Sequence, residues 1–194
     1  MDKLTESGRI SLQEFLNGCS KICCSSGWVL QHKDGYDPYM KNIFHKVMSG
    51  NNDKQDDQMS EFDNGLRDID NTKLQNICDE YLTYECHVIF SHSYSTPVLY
   101  FIVHNSNGKM LTLQEVWSEC GNYNFNEKWD FITQVEHPTL LMPYYQLHPC
   151  HTAEFMKPLQ DMQSYSDKQK HFSNFNYVHA WLSIILPVIG LSLV

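Results

Sequence analysis

The sequence predicts an α+β fold in which helices pack on one antiparallel sheet. Three observations predict it. Ser11 to Cys24 spaces Leu12, Phe15, Leu16, Cys19, Ile22 and Cys23 as the single apolar stripe of a helix. Tyr81 to Tyr94 and Val98 to His104 are aromatic and β-branched runs joined by a Ser95-Thr96-Pro97 turn, the pattern of an antiparallel hairpin. The chain then closes with helix-forming segments that begin at Thr152 and Tyr177.

In chain order, Ser11 caps the first helix, Glu14 completes a capping box, and Gly27 ends the helix. Cys19 and Cys23 fall on the apolar stripe and read as core residues. Trp28 to His32 is a short strand and Asp34-Gly35 a turn. Tyr39 to Val47 reads as the next strand despite poor alternation. Residues 49–72, rich in Asn, Asp, Gln and Gly, read as a mobile acidic loop within the domain. In the hairpin's first strand, one face carries Leu82, Tyr84, Cys86, Val88 and Phe90. Asn105 to Gly108 is a turn, and Thr112 with Glu115 caps a helix whose apolar side is Leu113, Val116 and Trp117. Gly121 to Glu127 is a loop. Trp129 to Val135 is undecided between strand and helix. Glu136-His137-Pro138-Thr139 is a turn, where His137 either stabilises the backbone or serves a site. Thr152 to Gln163 is helical at least to Pro158, Ser164 to Asn174 is a polar connection, and Tyr177 to Leu186 is a last helix stopped by Pro187.

The 194 residues carry 42% hydrophobic content, which fits a single domain with a real core spanning 1–194. A formal net charge of −9 without a basic stripe argues against nucleic acid as a partner and favours basic protein surfaces. The N-terminal residues are polar, with no apolar signal core. Seven cysteines, an odd number without paired C-x-x-C units, predict free thiols and a cytoplasmic, reducing compartment. The apolar segment from Ala180 is interrupted by Pro187 and Gly190, so a buried helix with an extended tail is expected, not membrane insertion.

The stretch with chemistry in it is Tyr144 to Met156, YYQLHPCHTAEFM. An apolar run leads into His148-Pro149-Cys150-His151 and a helix-forming run leads out. A cysteine where a strand gives way to a helix can present its sulfur to a cleft, and the N–H groups of the helix start favour a thiolate. Because a free thiol is only a few per cent ionised at neutral pH, such help matters to a nucleophile. Cys150 is therefore the candidate nucleophile.

His148-Pro149-Cys150 with Glu154-Phe155-Met156, together with Tyr84 to Phe101, Leu111 to Trp117, WDFITQVEHP at Trp129 to Pro138, and WLSIILPVIGLSL from Trp181, resemble one family. That family is autophagy-related protein ten, a ubiquitin-like-conjugating enzyme, and the resemblance covers roughly Tyr81 to the C-terminus. It implies a ubiquitin-conjugating-enzyme-like core. It implies that the twelfth ubiquitin-like autophagy modifier arrives from the activating enzyme, autophagy-related protein seven, as a thioester on Cys150. Transfer to a lysine of autophagy-related protein five then supports autophagosome formation. No cofactor is implied, since ATP is spent on the activating enzyme, and no metal is implied. The lipid-conjugating relative, autophagy-related protein three, shares His-Pro-Cys and the Thr83-Tyr84-Glu85 and Tyr94-x-Thr96-Pro97 spacing. Its long insertion and cationic N-terminal helix are not evident here.

Standard ubiquitin-conjugating enzymes supply an Asn from a His-Pro-Asn motif to the oxyanion of the transfer step. Here the nearest match is His137-Pro138-Thr139, and no Asn lies between it and Cys150. The replacement donors are His148, two residues before the sulfur, then Tyr84, then Thr83 as a restraint on the cysteine. One strand of the 81–104 hairpin is expected near a sheet edge, where it would dock the acceptor by strand addition. Three other readings are open. A cysteine hydrolase needs an orienting third partner. A zinc site would use Cys150, His148, His151 and Cys120 without standard spacing. A binding module would not need the thiol.

Overall fold

A computed structural model describes residues 8–24, 26–47, 81–120, 131–168 and 175–193. The acidic stretch 49–72, the expected loop at 121–127 and Cys78 lie outside the described residues. Six strands form one sheet: β1 (Val29–Gln31), β2 (Tyr39–Val47), β3 (Tyr81–Ser91), β4 (Thr96–Asn105), β5 (Ile132–Glu136) and β6 (Pro143–Leu147). Their order is β1-β2-β3-β4-β6-β5, and each neighbouring pair is antiparallel. The helices are α1 (Leu12–Cys23), α2 (Leu113–Glu119), α3 (Thr152–Lys168) and α4 (Tyr177–Ile185). This is the α+β architecture that the sequence predicts.

The two capping boxes form as expected. Ser11 N–H donates to Glu14 Oε2 at 2.7 Å, and Glu14 N–H donates to Ser11 Oγ at 3.2 Å. Thr112 and Glu115 repeat the exchange at the start of α2. A cap contributes about 1 kcal/mol, whereas each large apolar side chain buried contributes about 1.5–3 kcal/mol before the entropy of ordering it. The stripe Phe15, Cys19 and Ile22, all buried, therefore holds α1 on the sheet more than its cap does. Tyr177, Val178, Trp181, Leu182 and Ile185 of α4 complete the core beside it. Beyond α4 the chain makes a short 3₁₀ turn, Leu186–Ile189. Leu191 N–H then donates to Leu186 C=O and Gly190 N–H to Pro187 C=O, a Schellman closure with Gly190 at φ 74°. The apolar C-terminal segment is thus spent on core. Among the described residues no helix is long and apolar enough to cross a membrane.

Two expectations are corrected and one open segment is assigned. Neither hairpin strand lies at an edge: β3 sits between β2 and β4, and β4 between β3 and β6. The β5–β6 hairpin adds itself outside β4, pairing at Tyr100 and Phe101, so neither strand is the edge strand that the docking expectation needs. The segment left undecided at 129–135 supplies β5, the far edge strand, where only Ile132 is fully buried. Its alternation is weak because one strand edge and much of both faces meet solvent. Finally, α3 runs through Pro158 to Lys168, past the expected start of a polar connection at Ser164. Pro158 leaves the Glu154 carbonyl without its helical donor, but both residues are exposed, so water can serve that carbonyl.

Candidate active site at Cys150

β6 ends at Leu147, and the chain enters a 3₁₀ turn, Pro149–His151, which runs directly into α3. Pro149 suits the first position because its fixed φ matches a helical turn and its missing N–H is not needed there. Its ring is buried, which anchors the turn, while Cys150 is exposed. His148 N–H donates to Phe131 C=O at 2.8 Å, carrying the β5–β6 pairing one residue further. His148 itself is the cap of the turn: its Nδ1 accepts the Cys150 N–H at 3.3 Å.

That bond fixes the histidine's roles. With Nδ1 accepting, a neutral imidazole carries its proton on Nε2. Nε2 lies 3.4 Å from the Tyr94 hydroxyl oxygen, and the two rings meet edge to face with centroids 5.6 Å apart. Tyr94 stands on the β3–β4 turn. Ser95 there adopts φ 54°, its N–H donates to Ser91 C=O at 2.7 Å, and its carbonyl accepts Ile10 N–H at 2.9 Å. The segment leading into α1 thus ties down the turn that carries Tyr94. On the other side of the sulfur, His151 Nδ1 is 3.2 Å from Glu154 Oε2, and its ring stacks on Phe131 at 5.9 Å.

The structure brings Cys150 and His148 together and adds Tyr94. It does not bring Tyr84 or Thr83 to them. Tyr84 pairs with Val103 in register, whereas Pro97, which lies against His148, pairs with Phe90. Six residues of strand, about 20 Å, separate those positions. The Tyr84 side chain is 1% exposed within the core, and burial pushes its phenol up. Thr83 Oγ1 lies 3.1 Å from His45 Nδ1, on β2. Tyr94 was missed as a site residue although its spacing to Pro97 marks the turn. What sets it over His148 is the pairing of Tyr100 with Gln146 across β4 and β6, and no local pattern encodes that register.

Of the other described cysteines, Cys24 is exposed and Cys23 half-buried at the end of α1, away from the 3₁₀ turn in sequence. Cys19 and Cys86 are fully buried, and burial pushes both thiols far above the ordinary range. Cys120 closes α2, the helix near Tyr84, so the imagined zinc set is not gathered at one point. Among the described residues no three His, Cys, Asp or Glu side chains are grouped to hold a metal ion.

His137 belongs to a second cluster on the opposite face of β3. Its Nδ1 accepts N–H groups from Thr139 at 3.2 Å and Leu140 at 3.1 Å, so it holds the 137–142 turn. Its protonated Nε2 then donates to His87 Nδ1 at 2.9 Å. His87 Nε2 faces the Glu85 carboxylate at 3.1 Å, too far off line for a well-formed hydrogen bond. Tyr144 donates to Glu85 at 2.9 Å, and Lys41 pairs with it at 2.8 Å. Burial pushes both histidines down to about 4. An unfolded chain takes up these protons near the ordinary 6.5. The unfolded state therefore binds more protons between pH 6.5 and pH 4, and stability falls as pH drops through that window. The slope reaches about 1.4 kcal/mol per pH unit for each histidine. Urea unfolding at pH 7, 6 and 5 is expected to show this loss, and His87→Phe to flatten it. Equal midpoints at pH 7 and pH 5 in the unmodified protein would contradict the assignment.

Over residues 9–194 the chain matches the model of a family described as autophagocytosis associated protein, active-site domain. It is 45% identical over 118 residues to the ubiquitin-like-conjugating enzyme ATG10 of Homo sapiens, covering 59% of this chain and 51% of that protein. To the ubiquitin-like-conjugating enzyme ATG10 of Arabidopsis thaliana it is 37% identical over 112 residues, covering 56% and 49%. To autophagy-related protein 3 of Dictyostelium discoideum it is 25% identical over 108 residues, covering 55% and 31%. The chain spans about half the length of the curated relatives it matches first. The sheet with flanking helices agrees with a ubiquitin-conjugating-enzyme-like core, and the match runs from the start of α1 to the last residue. On that extent of agreement, this chain belongs to the autophagocytosis associated protein, active-site domain family.

Proposed function

We propose that this chain is a ubiquitin-like-conjugating enzyme of autophagy with Cys150 as its nucleophile. The observation that carries the reading is the exposed Cys150 on a 3₁₀ turn whose cap, His148, is itself held by Tyr94. In the first step the Cys150 thiolate attacks the thioester carbonyl of the modifier's terminal glycine on the activating enzyme. The enzyme's thiolate leaves, and the modifier is now a thioester on Cys150. In the second step a lysine amine of the acceptor attacks that carbonyl. The tetrahedral oxyanion collapses, the amine's proton passes to the departing Cys150 sulfur, and an isopeptide bond and a free Cys150 thiol remain. The partners are the twelfth ubiquitin-like autophagy modifier, the activating enzyme autophagy-related protein seven, and the acceptor autophagy-related protein five. The compartment is the cytoplasm.

The lipid-conjugating alternative would give the thioester to an aminolipid. The identities of 45% and 37% to conjugating enzymes named ATG10, against 25% to autophagy-related protein 3, favour the protein acceptor. Incubation with activating enzyme, ATP and modifier is expected to give a band shift on a non-reducing gel that thiol reagent abolishes. A protein that never acquires the thiol-sensitive shift is not a conjugating enzyme, and turnover of a modifier fusion without an acceptor would make it a hydrolase.

A further inference from the structure

We propose that an apolar pocket beside Cys150 binds the side chain of the residue just before the modifier's terminal glycine, and so selects modifiers with a bulky apolar residue there. The proposal rests on the conjugating-enzyme reading. The pocket measures about 160 Å³. Small-molecule sites begin near ~300 Å³, so this one suits a single side chain rather than a cofactor. Leu147, Phe155, Trp181 and Ile185 wall it, and Ile184, 40% exposed, marks its mouth.

Two features favour the donor tail as occupant. The first is position: the rim includes His148 and His151, the residues on either side of the nucleophile and its proline. One residue of extended chain spans about 3.3–3.6 Å. A terminal glycine joined to the Cys150 sulfur therefore places the preceding side chain on the scale of that rim. The second is chemistry. An incoming lysine amine is charged or strongly hydrated and gains nothing from aliphatic and aromatic walls.

The test uses the full chain and acetylated tripeptide thioesters, Ac-Ala-X-Gly joined to a small thiol, with X as Ala, Asp, Leu, Phe or Trp. Cys150 displaces the small thiol and becomes acylated without the activating enzyme, so the preference measured is this chain's own. Acylation is followed by intact mass spectrometry, with Cys150→Ala as the blank. Leu, Phe and Trp are expected to load at least tenfold faster than Ala or Asp. Ile184→Trp, which plugs the mouth from a half-exposed position, should bring all five within about twofold while the melting temperature is kept. Phe155→Ala, which enlarges the pocket, should shift the preference from Leu towards Trp. Equal rates for all five peptides in the unmodified chain would overturn the proposal and leave the conjugating reading standing. No acylation of Cys150 by any peptide would overturn both.

Discussion

Replacing Cys150 by serine is expected to abolish acceptor modification and to trap the modifier as an oxyester that survives reducing agent. The serine hydroxyl holds its proton at neutral pH and leaves poorly from a tetrahedral intermediate, so loading slows and discharge stops. Loss of a nucleophile lowers turnover by on the order of 10³-fold or more. The remaining cysteines are expected to be dispensable for the chemistry. Cys19 and Cys86 are core residues whose thiols burial keeps protonated. Their replacement by alanine should lower stability through a small cavity while single-turnover loading at 20 °C stays within about threefold. The decisive comparison is hydroxylamine and thiol sensitivity of the loaded Cys150→Ser protein. A thiol-labile adduct on that variant would move the nucleophile to another cysteine.

The sequence carries most of the elements, because their signals are local. The capping boxes at Ser11 and Thr112 are written in three residues each, and both form. The stripe of α1 and the inward face of β3 are periodic and bury as their periods require. The failures share a cause, which is packing between segments far apart in the chain. Tyr39 and Met40 are consecutive yet both buried, because one meets the core and the other side of β2 is covered near His137. The same covering buries Cys86 through Phe90 without a break. Poor alternation there records two covered faces, not a poor strand. The edge position expected for the hairpin failed for a related reason: β5 has little apolar content, so nothing local announces that a further hairpin flanks β4. At the site, His148-Pro149-Cys150 was legible as a strand-to-helix junction. Tyr94 over His148 depends on how β4 aligns with β6, which is a property of the whole sheet.

His148 is where geometry sharpens the expected chemistry most. Its Nδ1 is engaged by the Cys150 N–H, so only the Nε2 proton is available, and it now faces Tyr94. As a hypothesis, that proton, or the Tyr94 hydroxyl beside it, meets the oxyanion when the acceptor lysine attacks. Loss of one such donor lowers the rate by about 100–1000-fold, or ~2.7–4 kcal/mol. Loss of a cap costs about 1 kcal/mol more, and that shows in stability rather than rate. Asparagine can do both jobs, with its amide oxygen accepting the Cys150 N–H and its NH₂ donating outwards. Preloaded thioester discharged onto the acceptor in a single turnover is the measurement. His148→Ala is expected to slow discharge at least tenfold, with a smaller effect on loading, where the activating enzyme brings its own groups. His148→Asn should retain much more of the rate. Tyr94→Phe, which keeps the ring contact and removes the hydroxyl, should fall between them. If His148→Ala discharges at the unmodified rate, the imidazole only caps the turn. The donor is then sought at Tyr94, since Tyr84 lies about 20 Å along β3 from the Phe90–Pro97 pair beside His148.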